Sequence, residues 1–244
     1  MIEVRALSEI ADLQEAVKLQ QQIWGFQEVE LLPVRLFVVA TKIGGQVFGA
    51  FHDRRMVGFC IAIPGLKPGG KGYLHSHMLG VSAEYRDAGV GRILKLTQRK
   101  EALERGVDLI EWTFDPLEIK NAYFNIERLG AIVRRYVLNQ YGSTSSRLHG
   151  GLPTDRCVAE WRIAGARVNA ILDAQPFERG PVEERIAAPA DIAEIRARDA
   201  RRAREIQLRI SQQFERCFAR NLAVIGFERS AEAGTYLLGP WPSD

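Results

Sequence analysis

The chain has 244 residues, of which 46% are hydrophobic and 26% are charged. This composition excludes disorder as the main state, and the longest apolar runs fall far short of the ~18–20 residues of a membrane-spanning helix. The net charge of +3 is too small to favour nucleic acid as a partner.

The three cysteines, Cys60, Cys157 and Cys217, are widely spaced and form no C-x-x-C pair. Neither a disulfide framework nor a zinc cluster is therefore indicated, and we expect three core thiols and no metal. No basic segment followed by an apolar segment is visible at the start of the sequence, so we expect a cytoplasmic protein.

Hydrophobic periodicity predicts a mixed chain of strands and helices over the first two thirds of the sequence. Seven runs have the pattern of strands, at 2–7, 46–52, 56–63, 73–81, 109–114, 131–137 and 156–163. Four segments have apolar residues at helical spacing, at 10–23, 33–43, 89–105 and 118–129. The predicted order is therefore β-α-α-β-β-β-α-β-α-β-β.

The last third has a simpler pattern. It contains a strand at 182–187, a long amphipathic helix at 200–222 and a hairpin at 224–238, and every lysine of the chain lies at or before Lys120. We therefore predict two parts, a core of residues 1–163 and an extension of residues 164–244. The extension would pack on the core or on a partner subunit, which makes a homodimer one candidate arrangement.

The sharpest motif follows the fourth predicted strand. Arg86, Gly89 and Gly91 form an Arg-x-x-Gly-x-Gly pattern at the start of a helix. Glycines let a ligand approach the backbone, and the unpaired N–H groups of a helix N-terminus favour an anion such as phosphate. The spacing is not that of the dinucleotide fingerprint. A tight strand-to-helix turn without a ligand is the alternative interpretation.

This motif and the element order resemble the GNAT (general N-acetyltransferase) superfamily. Arg86, Gly89 and Gly91 match its acyl-CoA signature, and the resemblance covers about residues 1–163. Segments 114–131 and 152–156 further resemble a branch of predicted acetyltransferases with a C-terminal extension. The implied fold is α/β (α+β): a mixed, mostly antiparallel sheet flanked by helices, with a strand-helix-hairpin extension.

The resemblance also implies acetyl-CoA as acyl donor and assigns residues to it. Backbone N–H groups of the loop would hold the pyrophosphate, the fourth strand would pair with the pantetheine arm, and helix 118–129 would flank that arm. The implied cofactor-binding residues are Leu79, Val81, Arg86, Asp87, Ala88, Gly89, Val90, Gly91, Asn121, Phe124 and Asn125. Asn121 and Asn125 are expected on one helix face, one turn apart.

A second glycine-rich segment, Gly65–Gly72, has the spacing of a phosphate-binding P-loop. It lacks the required Ser or Thr after Lys71, and a strand rather than a helix follows it. We interpret this segment as a connection between strands that borders the acceptor entrance.

Acetyl transfer to an amine needs a base and a proton source for the leaving thiolate, and His75, Glu111 and Tyr141 are the catalytic candidates. Strand alternation predicts His75, His77, Leu79 and Val81 on one face. The base of related histone acetyltransferases falls on His75 by counting back from Arg86, although packing in the core is an equal interpretation. For Glu111 and Asp115 we favour structural roles, an arginine pair for the first and a turn or helix cap for the second.

The thiolate acid is less defined. The family's tyrosine position, counted from Gly130, is occupied by Ile126. Tyr123, Tyr136 and Tyr141 remain candidates, and Asn125 could supply a hydrogen bond instead.

The sequence therefore predicts an N-acyltransferase that moves acetyl from acetyl-CoA to the primary amine of a small molecule by direct attack in a ternary complex. A non-catalytic CoA-binding sensor or assembly module is the first alternative. A phosphate- or nucleotide-binding protein that uses the same loop is the second.

Overall fold

A computed structural model of the chain describes residues 1–142 and 151–241. These residues form two compact units. The first unit contains residues 1–111, and the second contains residues 112–142 and 151–241. The chain leaves the first unit within its fifth strand. Among the described residues, no helix is both long and apolar enough to cross a membrane.

The first unit is a sheet with helices on both faces. Its elements are β1 (Ile2–Ala6), α1 (Ile10–Trp24), α2 (Val34–Lys42), β2 (Gln46–His52), β3 (Arg55–Leu66), β4 (Gly72–Val81), α3 (Val90–Glu104) and the beginning of β5 (Leu109–Phe114). Strands β1 to β4 pair in sequence order and antiparallel, whereas β4 and β5 are parallel. The β4–β5 pairing covers Leu74 with Ile110 and His75 with Glu111.

Apolar alternation along β3 decides which helix covers which face. Ile61 packs with Leu13 of α1 and Phe37 of α2, whereas its neighbour Cys60 packs with Leu94 of α3. Successive side chains of a strand point to opposite faces, so the fully apolar run of β3 is buried on both sides.

A bulge in β4 breaks the predicted alternation. Ile61 pairs with Met78 and Ala62 pairs with Ser76, so His77 is the extra residue. Leu79 therefore shares a face with Ser76, and the face of His75 is the opposite one. The prediction that His75, Leu79 and Val81 share one face is wrong, because a single extra residue inverts the register.

The second unit begins with the end of β5. Its elements are α4 (Ile119–Tyr123), β6 (Ile132–Val137), β7 (Arg156–Arg162), α5 (Ala166–Leu172), β8 (Glu184–Pro189), α6 (Ile192–Arg198), α7 (Ala200–Ala219), β9 (Leu222–Arg229) and β10 (Ala233–Pro240). Its strand order is β7-β6-β9-β10-β8. Helix α7 packs its apolar face on this sheet. The ring centroid of Phe214 lies 5.3 Å from that of Tyr136 and 5.0 Å from that of Tyr236.

The predicted fold class is confirmed: the sheet is mixed and mostly antiparallel, flanked by helices, and the chain ends in a strand, a long helix and a hairpin. Three details differ. Helices α5 and α6 were not predicted, β3 extends through Pro64 to Leu66, and helix 118–129 is a short α4 followed by a π-helical turn at Phe124–Arg128.

Two predictions about organisation stay open. Residues 142–153, which we predict as a loop between the last two strands of the core, lie largely outside the described residues. The predicted boundary at residue 163 separates the core, which is expected to hold the acyl donor, from the extension. This boundary stays a prediction.

Candidate functional site

The connection after β4 exposes its backbone. A 3-10 turn at Ala83–Tyr85 leads into a turn in which Asp87 has φ 63° and Gly89 has φ 80°. Residues 86–89 are exposed. The left-handed backbone explains why glycine occupies position 89, since other residues rarely adopt this conformation.

The N-terminus of α3 at Gly89 has the backbone features that favour anions. The first N–H groups of the helix have no intrahelical acceptor, and the N-cap residue Gly89 has no side chain to cap them. The helix dipole adds positive potential at this end. In the first turn, the Nε atom of Arg92 is buried and has no acceptor among the described residues. Arg92 was missed as a site residue, although it directly follows the glycine motif.

Gly91 connects this loop to β4. A Cβ atom at position 91 would lie 3.6 Å from Leu79 Cδ2 and 3.9 Å from Val81 Cγ2, which is ordinary van der Waals contact. At Gly89 a Cβ atom would meet nothing within 4 Å. The protein itself therefore leaves space around both glycines, and the side chains of Leu79 and Val81 lie beside the start of α3.

The other end of β4 carries the two histidines. Their ring centroids are 6.1 Å apart. Burial, followed by the charge of His77, lowers the pKa of His75 from 6.5 to about 4. Burial also lowers the pKa of His77. Both rings are consequently neutral near pH 7, so they can accept a proton, but His75 is a weaker base than an exposed histidine.

Next to His75 lies an ion pair that the sequence did not predict. Lys67 Nζ is 2.6 Å from Glu111 Oε1 and 4.5 Å from the centroid of the Tyr73 ring. The Glu111 side chain is only 4% exposed. The lysine belongs to the β3–β4 loop. The expected pairing of Glu111 with an arginine stays a prediction.

A second lysine is buried on the opposite face of β4. Lys95 Nζ donates a hydrogen bond to Ser76 Oγ at 2.8 Å, and Ser76 Oγ donates to Gln98 Oε1 at 3.1 Å. Burial lowers the pKa of Lys95 to about 7. The predicted core position of Cys60, Cys157 and Cys217 is confirmed, since all three are buried free thiols.

In the second unit, the predicted donor contacts separate into exposed and buried residues. Asn121 is exposed and Phe124 is half-buried, whereas Asn125 is 1% exposed. The π-helical turn that starts at Phe124 breaks the regular spacing. Asn121 and Asn125, which were expected on one helix face, therefore differ in burial. The buried Nδ2 atom of Asn125 has no acceptor among the described residues.

Two other candidates of this unit have local partners. The Tyr141 hydroxyl lies 3.0 Å from Thr113 Oγ1, and Tyr141 is 45% exposed. Asp115 Oδ1 accepts a hydrogen bond from the Leu117 N–H, which confirms the predicted turn role. Its other oxygen pairs with Arg196 of α6 at 2.9 Å. Among the described residues, no three His, Cys, Asp or Glu side chains are grouped as metal ligands would be.

Comparison with known proteins identifies the region that holds this loop. Residues 13–130 match the family model of the Acetyltransferase (GNAT) family. No curated protein matches the sequence.

Solved structures share the fold at low sequence identity. The ribosomal-protein-S18-alanine N-acetyltransferase from Escherichia coli has a TM-score of 0.52 and 19% identity, over 68% of this chain and 96% of its own. Naa50 from Arabidopsis thaliana, in complex with the bisubstrate analogue CoA-Ac-MVNAL, has a TM-score of 0.51 and 16% identity, over 65% of this chain and 97% of its own. Aminoglycoside 6'-acetyltransferase type Ii has a TM-score of 0.53 and 18% identity, over 67% of this chain and 98% of its own. These likenesses show the fold alone, and the named acceptors differ among the three proteins.

Proposed function

The chain carries an acetyltransferase domain of the GNAT family, and from that premise we propose that it transfers acetyl from acetyl-CoA to the primary amine of a small molecule. The observation that carries the proposal is the open, uncapped N-terminus of α3 at Gly89. A pyrophosphate requires N–H donors and positive potential, and this loop supplies both.

The donor half of the site follows from the loop. The N–H groups from Arg86 to Gly91 would hold the pyrophosphate, and the buried Arg92 Nε would find in it the acceptor that the protein does not provide. Within the first unit, the ladder between β4 and β5 stops at His75. The backbone of β4 from His77 to Val81 is therefore proposed to pair with the pantetheine arm.

The acceptor half follows from the other end of β4. A carboxylate and an aromatic face both attract ammonium groups, and Glu111 and Tyr73 present them together. His75 lies opposite Glu111 in the ladder and its ring is neutral near pH 7. We assign Glu111 to bind the acceptor ammonium and His75 to accept its proton. The amine then attacks the thioester carbon, the C–S bond breaks, and the thiolate takes a proton.

Three residues of the second unit also enter the proposal. Asn125 is proposed as a donor contact because its buried Nδ2 atom lacks an acceptor among the described residues. Asn121 and Phe124 stay predictions. Tyr141 is kept as the proposed thiolate acid, although its hydroxyl already shares a hydrogen bond with Thr113.

A direct test measures donor binding and turnover separately. Calorimetry with acetyl-CoA should show binding, and release of free CoA thiol should accelerate when small primary amines are added. Peptides that begin with alanine or methionine serve as the competing acceptor class. Absence of acetyl-CoA binding at high micromolar concentration would contradict the donor site, and faster turnover of the peptides would contradict the small-molecule assignment.

A non-catalytic CoA-binding role is the second candidate. It is favoured by the buried, apolar Ile126 at the position where the family carries a tyrosine. This role predicts tight CoA binding without turnover across the same amine and peptide panel. Proximity and orientation of the amine can suffice without a dedicated acid, so turnover with any acceptor would contradict the sensor role.

A further inference from the structure

We propose that Lys67 is an internal acetyl acceptor, so that the enzyme acetylates its own β3–β4 loop. This inference rests on the proposed acetyl transfer. It adds a modification site, and all the residues from which we argue it belong to the first unit.

Lys67 occupies a site that is built for a primary ammonium group. Its Nζ atom lies 2.6 Å from Glu111 Oε1 and 4.5 Å from the Tyr73 ring centroid. The Tyr73 ring packs on Gly65, where a Cβ atom would lie only 2.6 Å from the ring. The ring position is thus fixed by the strand pairing of Gly65 with Tyr73. An external amine acceptor would need the same carboxylate and ring, so Lys67 stands where the substrate amine is proposed to stand.

The site lies at the end of β4 to which the donor arm is proposed to reach. Glu111 faces His75 in the parallel ladder, whereas the pyrophosphate loop begins beyond Val81 at the other end of the strand. Each residue advances a strand by about 3.3 Å, so an arm that runs from Val81 past Leu79 approaches His75 with its far end. That far end carries the thioester.

The proposal requires the amine of Lys67 to move off Glu111 towards the proposed donor. The loop is closed by hydrogen bonds from Lys67 N–H to Lys71 C=O and from Gly70 N–H to Lys67 C=O, both at 2.9 Å. The four-carbon side chain of Lys67 is 26% exposed, which leaves room for its amine to move off Glu111. A modest swing of the side chain therefore separates the observed ion pair from a nucleophilic position.

The proposed reaction is balanced. Nζ passes a proton to the Glu111 carboxylate or to the neutral His75 ring, and the free amine attacks the thioester carbon. An N–C bond forms, the C–S bond breaks, and the thiolate takes up a proton. In total, one lysine ammonium and acetyl-CoA become acetyl-lysine, CoA–SH and one proton. Acetyl-lysine carries no charge, so the ion pair between Lys67 and Glu111 is lost.

Lys71 provides a matched internal control. It belongs to the same loop and is more exposed, at 62%, and it pairs with Asp108, which is itself 45% exposed. Uncatalysed acetylation by acetyl-CoA would favour this accessible amine. Enzyme-directed acetylation would favour Lys67 instead.

The experiment uses the full chain and acetyl-CoA with an isotope-labelled acetyl group, followed by peptide mass spectrometry over time. We expect Lys67 to gain label at least about tenfold faster than Lys71, because its amine is held beside the proposed donor site. The rate per molecule should not change on tenfold dilution, since the acceptor belongs to the same chain. Equal or faster labelling of Lys71, or a rate that falls with dilution, would overturn the inference.

A variant separates this inference from the proposed function. Gly89→Glu should prevent labelling of Lys67 and leave slow chemical labelling of Lys71 unchanged, and persistent Lys67 labelling would overturn the inference. If the wild-type chain acetylates external amines while Lys67 stays unlabelled, the inference fails and the proposed function stands. If acetyl-CoA does not bind at all, both fail.

Discussion

The two ends of β4 are built by different means. At its C-terminal end, the strand leads into an exposed turn of backbone N–H groups, with left-handed Asp87 and Gly89 and no side-chain cap on α3. At its N-terminal end, the chemistry depends on side chains. There His75 faces Glu111, and Glu111 pairs with Lys67 from 44 residues away.

This difference teaches which functions a short motif can reveal. A backbone anion site needs glycines at fixed spacing along one stretch of chain, so Arg86, Gly89 and Gly91 suffice to predict one. An ammonium site needs a carboxylate and an aromatic ring that only the folded sheet brings together. Such residues are distant in the sequence and form no local motif. The proposed donor end can therefore be predicted from the sequence, whereas the proposed acceptor end requires the folded structure.

The largest effect is expected at the donor end. Gly89→Glu places a carboxylate where the pyrophosphate is proposed to bind, so acetyl-CoA binding should become undetectable by calorimetry. A Cβ atom at position 89 would meet no described atom within 4 Å, but a non-glycine residue at φ 80° costs about 1 kcal/mol of stability.

Gly106→Glu is the matched control at the other end of α3. Gly106 has φ 74°, and a Cβ atom there would also meet nothing within 4 Å, so the backbone strain is comparable. Both variants should lower the melting temperature by about 2–4 °C per kcal/mol lost. Only Gly89→Glu should lose the ligand, and equal acetyl-CoA affinity of the two variants would contradict the donor site.

A smaller effect is expected from Glu111→Gln at the acceptor end. Loss of a hydrogen bond to a charged group should cost about 2–3 kcal/mol of acceptor binding, seen as a higher KM for the amine. The affinity for acetyl-CoA should not change, because the pyrophosphate contacts lie at the other end of β4.

Asp108→Asn tests the specificity of that result. Asp108 also pairs with a lysine of the β3–β4 loop, but the pair is exposed and contributes little. We expect an unchanged KM for this variant. A rise in KM equal to that of Glu111→Gln would mean that the loop conformation, and not an ammonium site, controls the acceptor.

The smallest expected effect is a loss of folding stability at acidic pH. The pKa of His75 is lowered from 6.5 to about 4 in the folded state, chiefly by burial. The stability associated with the neutral ring is complete above pH 6.5 and is lost as the pH falls towards 4, because only the unfolded chain takes up the proton. After discounting for partial exposure, the loss is about 1–2 kcal/mol.

Urea unfolding at pH 7 and pH 4.5 measures this loss. His75→Gln should show a shallower decline in the free energy of unfolding than the wild type over this range. An identical decline in the two proteins would mean that His75 is not the buried neutral base that the acceptor end requires.

Much of the fold could be predicted from sequence because its periodicities are local. The sheet, α3 and the long helix α7 were all expected near their observed positions. The bulge at His77 could not be predicted, since an extra residue in a strand leaves no signature in apolar spacing. It nevertheless decides that His75 faces away from Leu79.

The second unit illustrates the same limit. Asp115 was correctly predicted in a turn, but its pairing with Arg196 joins residues 81 positions apart. The buried environment of Asn125 depends on the π-helical turn at Phe124–Arg128, which helical periodicity does not distinguish from an α-helix. Contacts of this kind are properties of the folded chain.

Hydrogen–deuterium exchange with and without acetyl-CoA tests the central claim most directly, since the claim concerns backbone N–H groups. We predict slower exchange on ligand binding in two peptides of the first unit, residues 77–81 of β4 and residues 86–92 of the loop and first turn of α3. The peptide at β9 and β10, residues 222–240, should serve as an unchanged reference. Binding of acetyl-CoA without protection of residues 86–92 would contradict the account.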